Sequence, residues 1–210
     1  RTIRTAVALQ QRGHRVRVVA IESIRGEPGE GVTWFDEVYE GVQVRRLSFN
    51  MKSAPDLFRW QYDNPWVGAH IEALMRIEPP DLFHMIGGYL ITASALNAAF
   101  RAMIPAVVSL TDYWWICPRI SLLRSDGNLS TLPVRAEQCV RCLGEEKRRF
   151  RLPGQVLPGL MGMYWRQQHD SIQRIDDRLS YLLGTLNQAK AILCPSEFLR
   201  EVYAQMGIDP

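Results

Sequence analysis

The residues best placed for chemistry stand where buried runs of the chain turn polar. Val107, Val108 and Leu110 form a short apolar run that stops at Thr111 and Asp112, and Tyr113, Trp114, Trp115, Cys117, Pro118 and Arg119 follow at once. A chain leaving a buried strand in this way sets reactive and binding side chains at its carboxyl end, the edge where open α/β sheets bind ligands. A second apolar run, 81–86, contains His84 and is followed by Gly87 and Gly88. Histidine donates or accepts a proton near neutral pH, and glycines let backbone come close to a ligand. Two such strand ends describe a cleft. Each also has a plainer reading: Thr111-Asp112 as an Asx-turn closing a strand, and His84 as a satisfied core histidine.

The cysteines form a second constellation. Cys139 and Cys142 are spaced CxxC, so their thiolates can meet one metal, and Cys117 can supply a third sulfur. A structural zinc site closes with four ligands, and no fourth stands out. A redox pair and plain buried thiols remain the alternatives. Aromatic clusters at Trp34-Phe35, 58–66 and 113–115 could stack on sugars, but core packing accounts for most of them. Tyr113 and Trp114, directly after the strand end, are the two placed to line a cleft.

The elements that must position these groups alternate. Residues 1–12 read as a helix stopped by Gly13, and Val16, Val18, Val19 and Ile21 as a strand. Residues 25–31 are loop, and 42–47 alternate like a strand nearer an edge of the sheet. After an aromatic, irregular connection come a helix over 66–77 ended by Pro79-Pro80, a strand over 81–86 and a helix over 90–103. The strand leading to Thr111 is next. Residues 119–158 break the alternation, with a turn at 125–128 and the CxxC, and read as an irregular insertion. Ile172, Ile175, Leu179, Leu182, Leu183 and Leu186 then mark one face of a long helix. Residues 191–194 form a short buried strand, and Ser196 is a suitable N-cap for a helix reaching Met206. This order predicts an α/β domain with a Rossmann-like, doubly wound, mostly parallel sheet and right-handed crossovers, one domain over 1–210.

Composition excludes several classes. The formal charge is only +3, and the densest charged cluster, 145–151, mixes signs, which argues against a nucleic-acid partner. No apolar run approaches the roughly 20 residues of a membrane span, and the basic, polar start is unlike a secretion signal, so the expected location is cytoplasmic. Four cysteines do not make a disulfide framework. Both ends read as incomplete: no strand precedes the first helix, and the chain halts at Asp209-Pro210, just past a helix.

Five stretches together, RTAVALQQRGHRVRVV, PPDLFHMIGG, IPAVVSLTDYWWICPR, CVRC and AILCPSEFLREVYAQMG, resemble the N-terminal half of retaining GT-B glycosyltransferases of family 4. TDYWWICPR is the most telling. The resemblance implies two Rossmann-like domains facing across a cleft, with acceptor bound mainly by the first domain and a nucleotide-sugar donor mainly by a second domain that would follow Pro210. It implies sugar transfer with retention of configuration and no cofactor or metal needed at the chemistry. It also implies that the glycine-rich turn near the donor phosphates would precede Arg1, so this chain alone would be inactive.

On these positions the resemblance makes Asp112 the catalytic candidate and His84, Gly87, Gly88, Thr111, Tyr113, Arg119 and Ser196 substrate-binding candidates. Many family members carry His-Asp at the strand end; here Thr111 replaces the His, and a Thr hydroxyl bonds to a sugar without titrating near neutral pH. Where related chains often show a further Cys after an Asp-Gly turn, this one has Ser130, leaving Cys117, Cys139 and Cys142 as three sulfurs of a structural zinc knot. A lipid-linked acceptor would bring the protein to a membrane surface, with Arg148, Arg149 and Arg151 available for that contact. The rival readings are a GT-B-like nucleotide-sugar epimerase, which would want a titrating group where Thr111 stands, and a non-catalytic domain whose Cys-rich insertion binds metal or a partner protein.

Overall fold

The computed structural model describes residues 2–208; Arg1, Asp209 and Pro210, on which the expectations about the chain ends fall, lie outside them. The chain divides into two compact units, 1–104 and 105–210.

The first unit opens with helix α1 (Thr2–Gln11), which Gly13 ends with a left-handed φ of 87°. Strands β1 (Arg17–Ser23), β2 (Thr33–Tyr39) and β3 (Val42–Ser48) form one sheet in the order β1-β3-β2, with β1 parallel and β2 antiparallel to β3. The 42–47 strand is therefore central and not near an edge, and it buries Val42, Val44 and Leu47. The edge belongs to β2, which periodicity did not reveal. Its hairpin closes through Glu40 and Gly41, both left-handed, as a two-residue turn matched to strand twist requires. Ion pairs bind the hairpin across the strands: Arg45 reaches Asp36 through two hydrogen bonds of 2.8 and 2.6 Å, and Arg46 reaches Glu37 at 2.5 Å.

A 3-10 turn at Met51–Ser53 leads to the short helix α2 (Leu57–Trp60), capped by the Asp56 carboxylate. Helix α3 (Pro65–Ile77) begins at the predicted place because Asn64 accepts from the Trp66 and Val67 amides and Pro65 sits at the first position, where its missing N–H costs nothing. Strand β4 (Phe83–Ile86) and helix α4 (Thr92–Arg101) complete the unit. The α3–α4 crossing is close: a Cβ on Gly68 would lie 3.0 Å from Ser94 Cβ. The small residues Ala93, Ser94, Ala95, Ala98 and Ala99 bury most of α4.

In the second unit strand β5 (Ala106–Ser109) is completely buried at Ala106 and Val108 and only half covered at Val107 and Ser109. Helix α5 (Ala136–Glu146) carries both Cys139 and Cys142, so the expected irregular stretch is irregular only to Arg135. The turn at 125–128 is present: Gly127, at φ 84°, donates to the Arg124 carbonyl, and Asp126 accepts from the Asn128 amide. Helices α6 (Arg148–Val156) and α7 (Pro158–Arg166) follow, and α6 runs through Pro153 at the loss of one backbone hydrogen bond. Two glycines pack these helices. A Cβ on Gly144 would stand 2.1 Å from the Trp165 ring, and one on Gly154 would stand 2.8 Å from Glu145 Cδ.

Helix α8 (His169–Leu186) buries Ile175, Leu179, Leu182 and Leu186 as the spacing predicts, with Ile172 and Leu183 only partly covered. Strand β6 (Ala191–Leu193) pairs in parallel with β5, Val108 opposite Ile192. It is not buried as expected, since Ala191 and Leu193 are exposed. Helix α9 (Glu197–Ala204) is capped by Ser196, whose Oγ accepts from the Leu199 amide. The fold class is as predicted: mixed α/β with parallel strand pairing and helices, a Rossmann-like half of a GT-B fold.

Candidate functional site

The 111–115 segment is a tightly held turn at the carboxyl end of β5. The Leu110 amide still bonds to the Leu193 carbonyl of β6, and the chain then departs from the sheet. Asp112 Oδ1 accepts from the Trp114 amide at 2.8 Å, and Oδ2 accepts from the Thr111 hydroxyl at 3.2 Å. The Asx-turn is therefore real, and it aims the carboxylate without using all of its acceptor capacity. Thr111, Asp112 and Tyr113 are half-buried, so solvent reaches all three.

Long-range contacts hold this turn. Tyr203 on α9, fully buried, donates its phenol to the Asp112 backbone carbonyl at 2.8 Å, and burial raises its ionisation well above the usual range. Arg178 on α8 donates to the Trp114 carbonyl at 2.5 Å, its guanidinium 5.7 Å from the Trp114 ring. Sequence reasoning missed both residues. Arg178 had a signal: it lies on the same helical stripe as Ile175, Leu179 and Leu182, where a solvated arginine would not. Trp114 and Trp115 pack edge to face at 5.0 Å and are buried, so Trp114 belongs to the core and the rim is left to Tyr113.

Arg119 spans from the loop to α5. Its Nη1 donates to the Leu123 carbonyl at 2.9 Å and to Cys142 Sγ at 3.6 Å, and its Nη2 lies 3.5 Å from Glu146. The Cys139 thiol is pushed up to about 12 by burial first and then by the neighbouring Cys117 and Cys142, so it is neutral at physiological pH. Among the described residues no group of three or more His, Cys, Asp or Glu side chains is arranged to hold a metal. The Cys142 sulfur is instead engaged by the Arg119 guanidinium.

His84 lies on β4, half-buried, and desolvation lowers its pKa, which favours the neutral imidazole. The turn after it is backbone-strained: Gly87, Leu90 and Thr92 all take left-handed φ, and for the β-branched Thr92 this is costly. Gly87 and Gly88 are buried, and the Gly88 carbonyl accepts from the Thr92 amide. His84, Gly87 and Gly88 belong to the first unit, and Thr111, Asp112, Tyr113, Arg119, the three cysteines and Ser196 to the second. Within the second unit, Thr111 to Tyr113 form one group, Arg119 joins Cys142, and Ser196 spends its hydroxyl on the α9 cap. A cavity lined by Arg124, Ser125, Gln138, Arg141, Cys142 and Glu145 shares none of the predicted substrate-binding residues.

A Rossmann-like α/β chain with a braced, polar strand-end turn could serve many reactions, and the fold alone does not choose the class. The family comparison names it: the chain belongs to the glycosyl transferase 4-like domain family, whose model matches residues 1–210. No curated protein matches the chain. No helix among the described residues is long and apolar enough to cross a membrane.

Proposed function

We propose that this chain is the acceptor-side domain of a glycosyltransferase that moves a hexosyl or related sugar from a nucleotide-sugar donor to a sugar or lipid-linked acceptor with retention of configuration. The observation that carries the reading is the half-buried Asp112 carboxylate, aimed from the carboxyl end of β5 and braced from behind by Tyr203 and Arg178, in a chain of this family.

In this reading Asp112 accepts a hydrogen bond from the acceptor hydroxyl and orients it for attack, which is the positioning share of catalysis. Thr111 offers a hydroxyl that bonds without titrating, and Tyr113 offers a ring edge to the sugar. His84, neutral, serves as a hydrogen-bond partner, with Gly87 and Gly88 allowing close approach of backbone to substrate. Arg119 fixes the wall behind the loop, and Ser196 starts α9, whose amide end faces the substrate phosphates. The donor would be held chiefly by a second domain of the same protein, in the cytoplasm.

Asp112→Asn tests this directly, because the amide oxygen still caps the Trp114 amide while the charge is lost. Sugar transfer by the full-length protein should fall about a hundredfold, as removal of a positioned acid-base or orienting group typically does, with an unchanged melting temperature. Unchanged turnover would remove Asp112 from the site, and inversion at the product's anomeric carbon would overturn the retaining assignment.

A further inference from the structure

The α6–α7 hairpin has one anchored face and one unpartnered face. Inward, Phe150 and Tyr164 pack around Trp165, which is buried against Gly144, and Gly154 is buried against Glu145. Outward, Leu152 and Val156 on α6 and Leu160 and Met163 on α7 are exposed, Val156 at 72%. The tip itself, 155–160, is exposed at every residue and reads QVLPGL.

Charge decides what this face meets. Residues 147–166 hold five cations, Lys147, Arg148, Arg149, Arg151 and Arg166, and no acidic residue. A second copy of the chain would bring cation against cation, and a neutral apolar partner would leave the arginines without counter-charge. An apolar tip beside clustered arginines matches a surface that is anionic outside and hydrocarbon beneath.

We propose that this hairpin docks on an anionic lipid bilayer, with Val156, Leu157 and Leu160 seated at the headgroup boundary and the arginines of α6 at phosphate level. Insertion is shallow and reversible, because the apolar tip is one turn of each helix. The inference stands apart from the sugar-transfer reading and is independent of the acceptor's identity.

Flotation of the full-length protein with vesicles of phosphatidylcholine, with or without phosphatidylglycerol, tests it. Wild type should bind the anionic vesicles selectively, and added salt should weaken binding. The triple variant Arg148→Gln, Arg149→Gln, Arg151→Gln should lose about a hundredfold in affinity, about fivefold per arginine. Val156→Asp with Leu157→Asp should abolish binding even at low salt; these side chains are exposed, so unchanged circular dichroism verifies folding, and Leu160→Asn is the milder second variant. Equal binding to neutral vesicles, no binding to either, or aspartate variants that bind like wild type would overturn the proposal. So would a dimer that the aspartate variant dissociates, since the face would then be a self-association surface.

Discussion

The two units solve the same problem, an α/β core, with opposite uses of charge. In the first, charges stay outside: Arg45, Arg46, Asp36 and Glu37 pair across the exposed β2–β3 hairpin, and α3 meets α4 through small side chains. In the second, charged side chains are taken inside as well, Glu145 at 8% and Arg178 at 3% exposure. Arg178, Tyr203 and Cys139 are buried, and two of them are tied to the backbone of the strand-end turn. Each of these two hydrogen bonds holds the turn to one conformation more narrowly than apolar packing alone would. The unit that takes charge inside is the one carrying the rigid 111–115 turn.

The sharpest way to break this contrast is at the two helix glycines. Gly144→Ala drives a Cβ to 2.1 Å from an indole ring locked between Phe150 and Tyr164, whereas Gly68→Ala meets Ser94 Cβ at 3.0 Å. The first should cost about 3 kcal/mol or more by overpacking, and the second clearly less, because small shifts of α4 relieve it. Chemical denaturation of both variants measures the difference. Equal costs would mean that the second unit repacks as readily as the first.

Titration sharpens the contrast next, since the units should fail at opposite ends of the pH scale. Burial raises Cys139 from 9.0 to about 12, so the unfolded chain releases this proton first. Stability is then full below about pH 9 and declines as pH rises toward 12, a loss on the order of a few kcal/mol. Cys139→Ala should flatten that alkaline limb. His84 and His70 are lowered from 6.5, chiefly by desolvation. Their stabilisation is present above about pH 6.5 and lost as pH falls, when the unfolded chain takes up protons first. His84→Gln should lessen the acid-limb slope by its own share and leave the alkaline limb unchanged, as read from melting temperature against pH.

Legibility followed the same division. Boundaries set by local chemistry were readable: the Asn64-Pro65 start of α3, the Ser196 cap of α9, the Gly13 stop and the Asp126-Gly127 turn each need only neighbouring residues. Strand β2 was missed because Asp36 and Glu37 interrupt its apolar pattern, and those charges suit a strand only when Arg45 and Arg46 stand opposite. The two-residue Glu40-Gly41 link between runs was the available signal. Helix α5 was obscured because Gly144 looks like a breaker until Trp165, 21 positions away, fills the space it leaves. At the site, the Asp112 turn was readable and its braces were not, because Arg178 and Tyr203 lie 64 and 91 residues away in sequence.

Those braces give a smaller, more specific effect. Tyr203→Phe removes one hydrogen bond and leaves the Asp112 carbonyl unmatched, a cost of about 1 kcal/mol. Turnover should fall more than stability warrants if the turn positions Asp112, with kcat reduced and KM little changed. Loss confined to melting temperature would make Tyr203 a core residue only.

The smallest expected effect lies in the first unit and completes the comparison. Asp36 and Arg45 are directly opposed on β2 and β3, and the Arg45 guanidinium lies 3.8 Å from the Trp34 ring centre. The hydrogen bond from Arg45 holds the Asp36 carboxyl below the usual carboxylate range. Yet the Asp36 side chain is 47% exposed, so water and salt screen the pair. Asp36→Asn should therefore cost only a few tenths of a kcal/mol, and that difference should vanish in high salt. A salt-insensitive loss of 1 kcal/mol or more would show that the hairpin depends on the pair for its alignment as the second unit's turn depends on Arg178 and Tyr203, and the division between outward and inward charge would no longer separate the two units.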